Sequence, residues 1–64
     1  MNKAQQREVS RAVAIAKIDA RMAAESIATL MRAASKKTAA ELLQIANEHD
    51  LTKHMKLVNG CYVA

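Results

Sequence analysis

Apolar residues return along the first half of the chain at alternating spacings of four and three: Val9, Val13, Ala16, Ala20, Ala23, Ile27, Leu30 and Ala34. At about 100° per residue these positions share one stripe of an α-helix. Neither Gly nor Pro interrupts 3–34, and the segment is rich in the strong helix formers Ala, Arg, Met, Gln, Glu and Lys. The pattern predicts one long helix over about 3–34. A seam sustained over more than three heptads predicts a second helix packed on it at a shallow crossing angle. The alanine centre would let that partner approach closely, with Val9, Val13, Ile27 and Leu30 as the larger knobs at the two ends.

A second apolar cluster, Ile15, Ile18 and Met22, lies about 150° away from the seam. A helix apolar on two opposite faces is usually buried on both. Either this cluster is ordinary core, covered by the C-terminal segment or another subunit, or it is an exposed patch that docks a target protein.

The apolar phase breaks at 35–38, since the next set, Ala39, Leu42, Leu43 and Ala46, is rotated by roughly 110°. Thr38 followed three residues later by Glu41 fits a capping box. A second helix is therefore expected over about 39–49, with Gln44, Asn47 and Glu48 outward. At 1.5 Å per residue the two helices would measure about 48 Å and about 16 Å. Folded back as a helical hairpin, the short helix covers about a third of the long one. A second copy of the long helix, antiparallel across a two-fold axis, is expected to cover the rest. Val9, Val13, Ala16, Ala20, Ala23 and Ile27 are the expected dimer contact.

In the tail, 50–64, Asn59-Gly60 between Leu57-Val58 and Cys61-Tyr62-Val63 signals a β-hairpin, because a type I′ turn needs positive φ at both central residues. The alternative is a short helix over 52–58 with Gly60 as its C-terminal cap. The expected class is thus mainly α: a long helix, a shorter antiparallel helix, and a short tail or hairpin, in one domain spanning 1–64.

Length and composition sharpen this picture. A domain of 64 residues buries only about 60% of the surface its unfolded chain exposes, so a lone copy would be marginal. Cys61 is the single cysteine, which removes disulfides as a remedy and favours a reducing compartment. The chain is 52% hydrophobic but only 2% aromatic, a palette suited to packing helices.

Ten Lys and Arg against six Asp and Glu leave a net charge of +4, which favours acidic partners. On a continuous helix Lys3, Arg7, Arg11, Lys17, Arg21 and Arg32 fall within an arc of about 120°, shared among the acidic residues only by Glu25. Such a face is either a solvated surface or a track for phosphates or an acidic protein. No apolar stretch follows the basic N-terminal residues as a secretory signal requires, and no run approaches the ~18 apolar residues of a membrane span. Membrane-surface binding is also disfavoured, because the larger apolar residues of the first helix are divided between two faces. A complete, soluble, cytoplasmic product is expected.

Cys61 with His49 and His54 raises two chemical readings, a metal site completed by a residue such as Asp50, or a thiolate activated by imidazole. The spacing matches neither pattern. Cys61 is expected as a small buried apolar residue, His49 as a helix-end group suited to the negative end of the dipole, and His54 at the surface. One glycine cannot build a phosphate-cradling loop, and so short a chain has difficulty enclosing a substrate. No enzyme activity, cofactor or metal is expected.

Nucleic-acid binding has some support. Ala39 to Leu51 followed by Thr52-Lys53-His54 loosely resembles a helix, turn and recognition segment, with the Asn-Gly hairpin as a wing. Against it, Asp50 stands where a turn glycine is preferred, Lys56 falls where a recognition helix turns inward, and the second helix is short. Apart from Tyr62, no aromatic ring is available to stack on bases.

Short helical chains of this kind are similar in style to the accessory and inhibitor proteins of phages and mobile elements, a likeness that rests on no particular residue. It implies the host cytoplasm as the place of action. The expected function is non-catalytic: binding and modulating a larger protein, with inhibition the favoured mode, through Arg11, Ile15, Lys17, Ile18, Arg21 and Met22. The alternative is a small DNA- or RNA-binding regulator using the basic face of the first helix.

Overall fold

The computed structural model describes residues 2–63. It is mainly helical, with three helices and a small two-stranded antiparallel sheet. In chain order these are α1 (Lys3–Ala16), α2 (Ala20–Ala33), α3 (Lys36–Glu48), a 3₁₀ turn (Thr52–His54), β1 (Lys56–Val58) and β2 (Cys61–Val63). The tail expected over 50–64 ends at Ala64, which like Met1 lies outside the described residues.

The long helix expected over 3–34 is two helices. Its course breaks at Lys17-Ile18-Asp19, where the Ile18 and Asp19 amides both donate to the Ile15 carbonyl, at 2.8 and 2.7 Å. Asp19 then takes an extended backbone and its Oδ1 accepts from the Met22 amide at 3.2 Å, capping α2. Aspartate is a strong N-cap because its carboxylate satisfies an amide that has no partner within the helix. Packing supplies the larger drive. A rod of about 48 Å leaves its seam bare, whereas the folded chain measures 28 × 27 × 16 Å and sets Val9 and Ala12 of α1 in the same core as Ala23, Ala24 and Ile27 of α2. At its other end α1 opens with a reciprocal cap: Asn2 Oδ1 accepts from the Gln5 amide, and Gln5 Oε1 accepts from the Asn2 amide.

Helix α2 is the centre of the fold, packed by α1, α3, the 3₁₀ turn and β2. That explains its wide apolar face, on which Ala23, Ala24, Ile27, Ala28 and Met31 are all buried. Four alanines, Ala23, Ala24, Ala28 and Ala46, have no exposed surface at all. Small side chains there let the elements around α2 come close, and Ile27, Leu42 and Leu51 fill the volume between them.

Helix α3 starts three residues before the expected 39, so most of the segment expected as a turn is its first turn. Its cap is Ser35 rather than Thr38: Ser35 Oγ accepts from the Thr38 amide at 3.3 Å. Ala34 and Ser35 are both extended, which ends α2 and places Ser35, itself a favoured cap, one turn earlier. Leu42 and Ala46 face the core, Ala39 and Leu43 pack beside it, and Gln44, Asn47 and Glu48 are exposed.

The hairpin pairs Lys56 with Val63, Leu57 with Tyr62, and Val58 with Cys61. Its turn holds Asn59 at φ 51° and Gly60 at φ 79°, the two positive angles of a type I′ connection. Two strands of three residues are not stable alone; β2 lies against α2, with Tyr62 packed on the core.

Candidate functional site

The break between α1 and α2 displays Ile18, the most exposed large apolar side chain among the described residues, ahead of Leu57 and Val58 on β1. Ile18 is 91% exposed and Met22 54% exposed. Their positions are fixed, because the backbone on either side of Ile18 is held by the Ile15 carbonyl and by the Asp19 cap. Ile15 is half-buried against the core. Together with Arg11 and Met22 it lines a depression of about 240 Å³ between α1 and α2, where Glu8 and Ser26 also contribute. Lys17 is exposed at the corner beside Ile18.

Of the six residues expected to contact a partner, Arg11, Ile15 and Met22 therefore share one surface depression, and Lys17 and Ile18 stand at the adjoining corner. Arg21 faces elsewhere: it lines a cleft with Glu25, Lys53, His54, Met55 and Lys56. The basic arc drawn on a continuous helix does not survive the break, because Lys3, Arg7 and Arg11 belong to α1 while Arg21 and Arg32 belong to α2. Arg32 bonds to the Thr29 hydroxyl at 3.2 Å.

The residues expected at a dimer seam are used within the chain. Val9, Ala23 and Ile27 are buried in its own core, and Val13, Ala16 and Ala20 pack partly buried against it. A second copy could reach the buried three only by opening that core.

No significant match to this chain is found among protein-family models, curated proteins or solved structures.

Cys61 is exposed, not buried. It occupies the hairpin position opposite Val58 and lines a groove of about 380 Å³ with Arg32, Lys36, Leu43 and Tyr62. His49 is the C-terminal cap residue of α3, and His54 lies in the Arg21 cleft. Among the described residues no three His, Cys, Asp or Glu side chains gather as a metal site, and no helix is long and apolar enough to cross a membrane. Asp50 adopts the left-handed conformation, φ 57°, despite not being glycine.

The sequence held a signal for the corner. Asp19 preceding Ala20-Arg21-Met22 is an N-cap pattern, and Ile18 immediately before it belongs outside the helix. The convergence of Arg21 with Lys53 and Lys56 had none, since those positions meet only through tertiary folding.

Proposed function

We propose that this chain is a non-catalytic binding protein that docks an acidic, partly apolar segment of a larger protein on the α1–α2 corner and inhibits that protein by covering its surface. The observation that carries the reading is Ile18, 91% exposed on a turn held by hydrogen bonds. A β-branched side chain displayed in this way gains about 1.5–3 kcal/mol when fully buried by a partner, and a preorganised turn loses little entropy on binding.

Charge supports the choice of partner. Arg11 shares the depression with Glu8, Ile15 and Met22, and Lys17 and Asp19 flank Ile18, so the corner is locally balanced and the pull on an acidic surface comes from the +4 of the whole chain. A standard interface takes about 800 Å² from each partner, roughly a sixth of the 4554 Å² surface of this chain. Inhibition then follows from bulk: the bound molecule lies over whatever the acidic segment adjoins.

The test is capture of partners by the tagged protein from lysate of its source organism after nuclease treatment, with Ile18→Asp and Met22→Asp alongside. The reading expects one protein in stoichiometric amount, held less well at high salt and lost with either variant while the circular dichroism spectrum stays the same. Equal capture by Ile18→Asp would overturn it. So would an assembly consisting only of further copies of this chain.

A further inference from the structure

The cleft that takes Arg21 away from the corner is a second surface of different character. It has a volume of about 520 Å³ and is lined by Arg21 and Glu25 of α2, Lys53 and His54 of the 3₁₀ turn, Met55, and Lys56 of β1. The fold brings three permanent cations and an imidazole together from segments far apart in sequence, with a single carboxylate among them. None of Arg21, Lys53 and Lys56 has an ion pair or a side-chain hydrogen bond among the described residues, although Glu25 lines the same cleft. Like charges gathered without neutralisation repel one another, and an anion entering between them relieves that repulsion.

The walls narrow the choice of anion. Met55, the one apolar lining residue, is itself 8% exposed, so the apolar part of the wall is mainly the carbon stems of charged side chains and not an apolar side chain. That suits phosphate oxygens better than the mixed apolar and acidic segment assigned to the corner. The two lysines, on flexible stems, act as point charges on phosphates, while the arginine guanidinium can grip one through paired hydrogen bonds. Three cations around a cleft of about 520 Å³ give charge and room for more than one phosphate, which suits successive phosphates of a chain.

We infer that Arg21, Lys53, His54 and Lys56 form a phosphate-binding cleft for the backbone of a nucleic acid, separate from the protein-docking corner. Recognition there is of charge, with no base read, so it is salt-sensitive and indifferent to sequence.

The experiment is fluorescence anisotropy of a short labelled DNA duplex titrated with the whole protein. Three cations that each displace a counterion give a slope of log affinity against log salt of about −2.7, a loss of roughly fortyfold between about 50 and 200 mM salt. The double variant Lys53→Gln, Lys56→Gln changes exposed side chains only and should reduce that loss to about fourfold. Ile18→Asp should bind the duplex like the unaltered protein, so failure of the corner and failure of the cleft are read separately. Competition distinguishes the source of the phosphate: tripolyphosphate at equal phosphate concentration should displace the duplex poorly, and poly-glutamate at equal charge should do no better. An unchanged salt loss in the double variant would overturn the inference, as would absence of binding at about 50 mM salt or displacement by either competitor as effective as unlabelled duplex.

Discussion

The amide of Leu51 donates to the carbonyl of Ala46 at 2.8 Å, while the Asp50 amide donates to the Asn47 carbonyl at 3.2 Å. Together the two bonds close α3 as a Schellman motif, with the buried Leu51 and Ala46 forming its apolar contact. The motif requires left-handed backbone at the residue between them, and Asp50 supplies it at φ 57°, where a Cβ is unfavourable. Asp50→Gly should raise stability by about 0.5–1 kcal/mol, the relief at φ exceeding the extra freedom glycine gives the unfolded chain. Urea denaturation reads this directly; a lower midpoint at unchanged slope would mean that the aspartate side chain contributes more than its backbone costs.

Leu42 tests how near the fold stands to its limit. It has no exposed surface and sits with Ile27 and Leu51 among alanines, which cannot move in to fill a void. Leu42→Ala should cost about 2–5 kcal/mol, against a total stability of roughly 3–10 kcal/mol for a chain of this length. The variant is therefore expected to lose a large share of the fold's stability, read as a much lower denaturation midpoint by circular dichroism, whereas Ile27→Val, costing about 0.5–1.5 kcal/mol, lowers it far less. In the opposite direction Ala28→Leu should cost about 1–3 kcal/mol, since Ala28 is fully buried and extra methylenes in a packed core force its neighbours to shift.

Asp19 shows what the cap itself contributes to the corner. Asp19→Ala removes the acceptor of the Met22 amide and should cost about 1 kcal/mol, while Asp19→Asn keeps an acceptor and should be nearly neutral. Chemical denaturation of the pair separates the hydrogen bond from the charge: equal losses in both would assign the effect to charge at the helix terminus.

Where the local chemistry was unambiguous, the fold could be read from the sequence. Asn59-Gly60 specifies its turn through a backbone requirement met within two residues, and Ala39, Leu42, Leu43 and Ala46 repeat at a helical spacing whose core side follows from periodicity alone. The break after Ala16 is different. Lys17-Ile18-Asp19 contains neither Gly nor Pro, and aspartate inside a helix costs only a few tenths of a kcal/mol, so a continuous seam from Val9 to Ala34 fits the pattern as well as two helices do. What decides between them is the packing of Val9 and Ala12 with Ala23, Ala24 and Ile27, a tertiary contact that no window of local sequence contains. The same reason hides the cleft: Arg21 reads as part of one helical arc until the fold sets it beside Lys53 and Lys56.

Ile15 and Ile18 carry the same side chain three residues apart, one packed against the core and one displayed to solvent. A structural role and a binding role therefore predict opposite outcomes for the same substitution. Ile15→Ser removes packing and should cost roughly 1 kcal/mol or more, lowering the denaturation midpoint whatever it does to binding. Ile18→Ser removes a side chain that touches little, so stability should stay within about 0.5 kcal/mol while solubility rises. If Ile18→Ser instead destabilises as much as Ile15→Ser, the side chain is buried in solution by a second copy or by a rearranged corner. Sedimentation of the unaltered protein across concentration then separates those cases, because only self-association depends on how much protein is present.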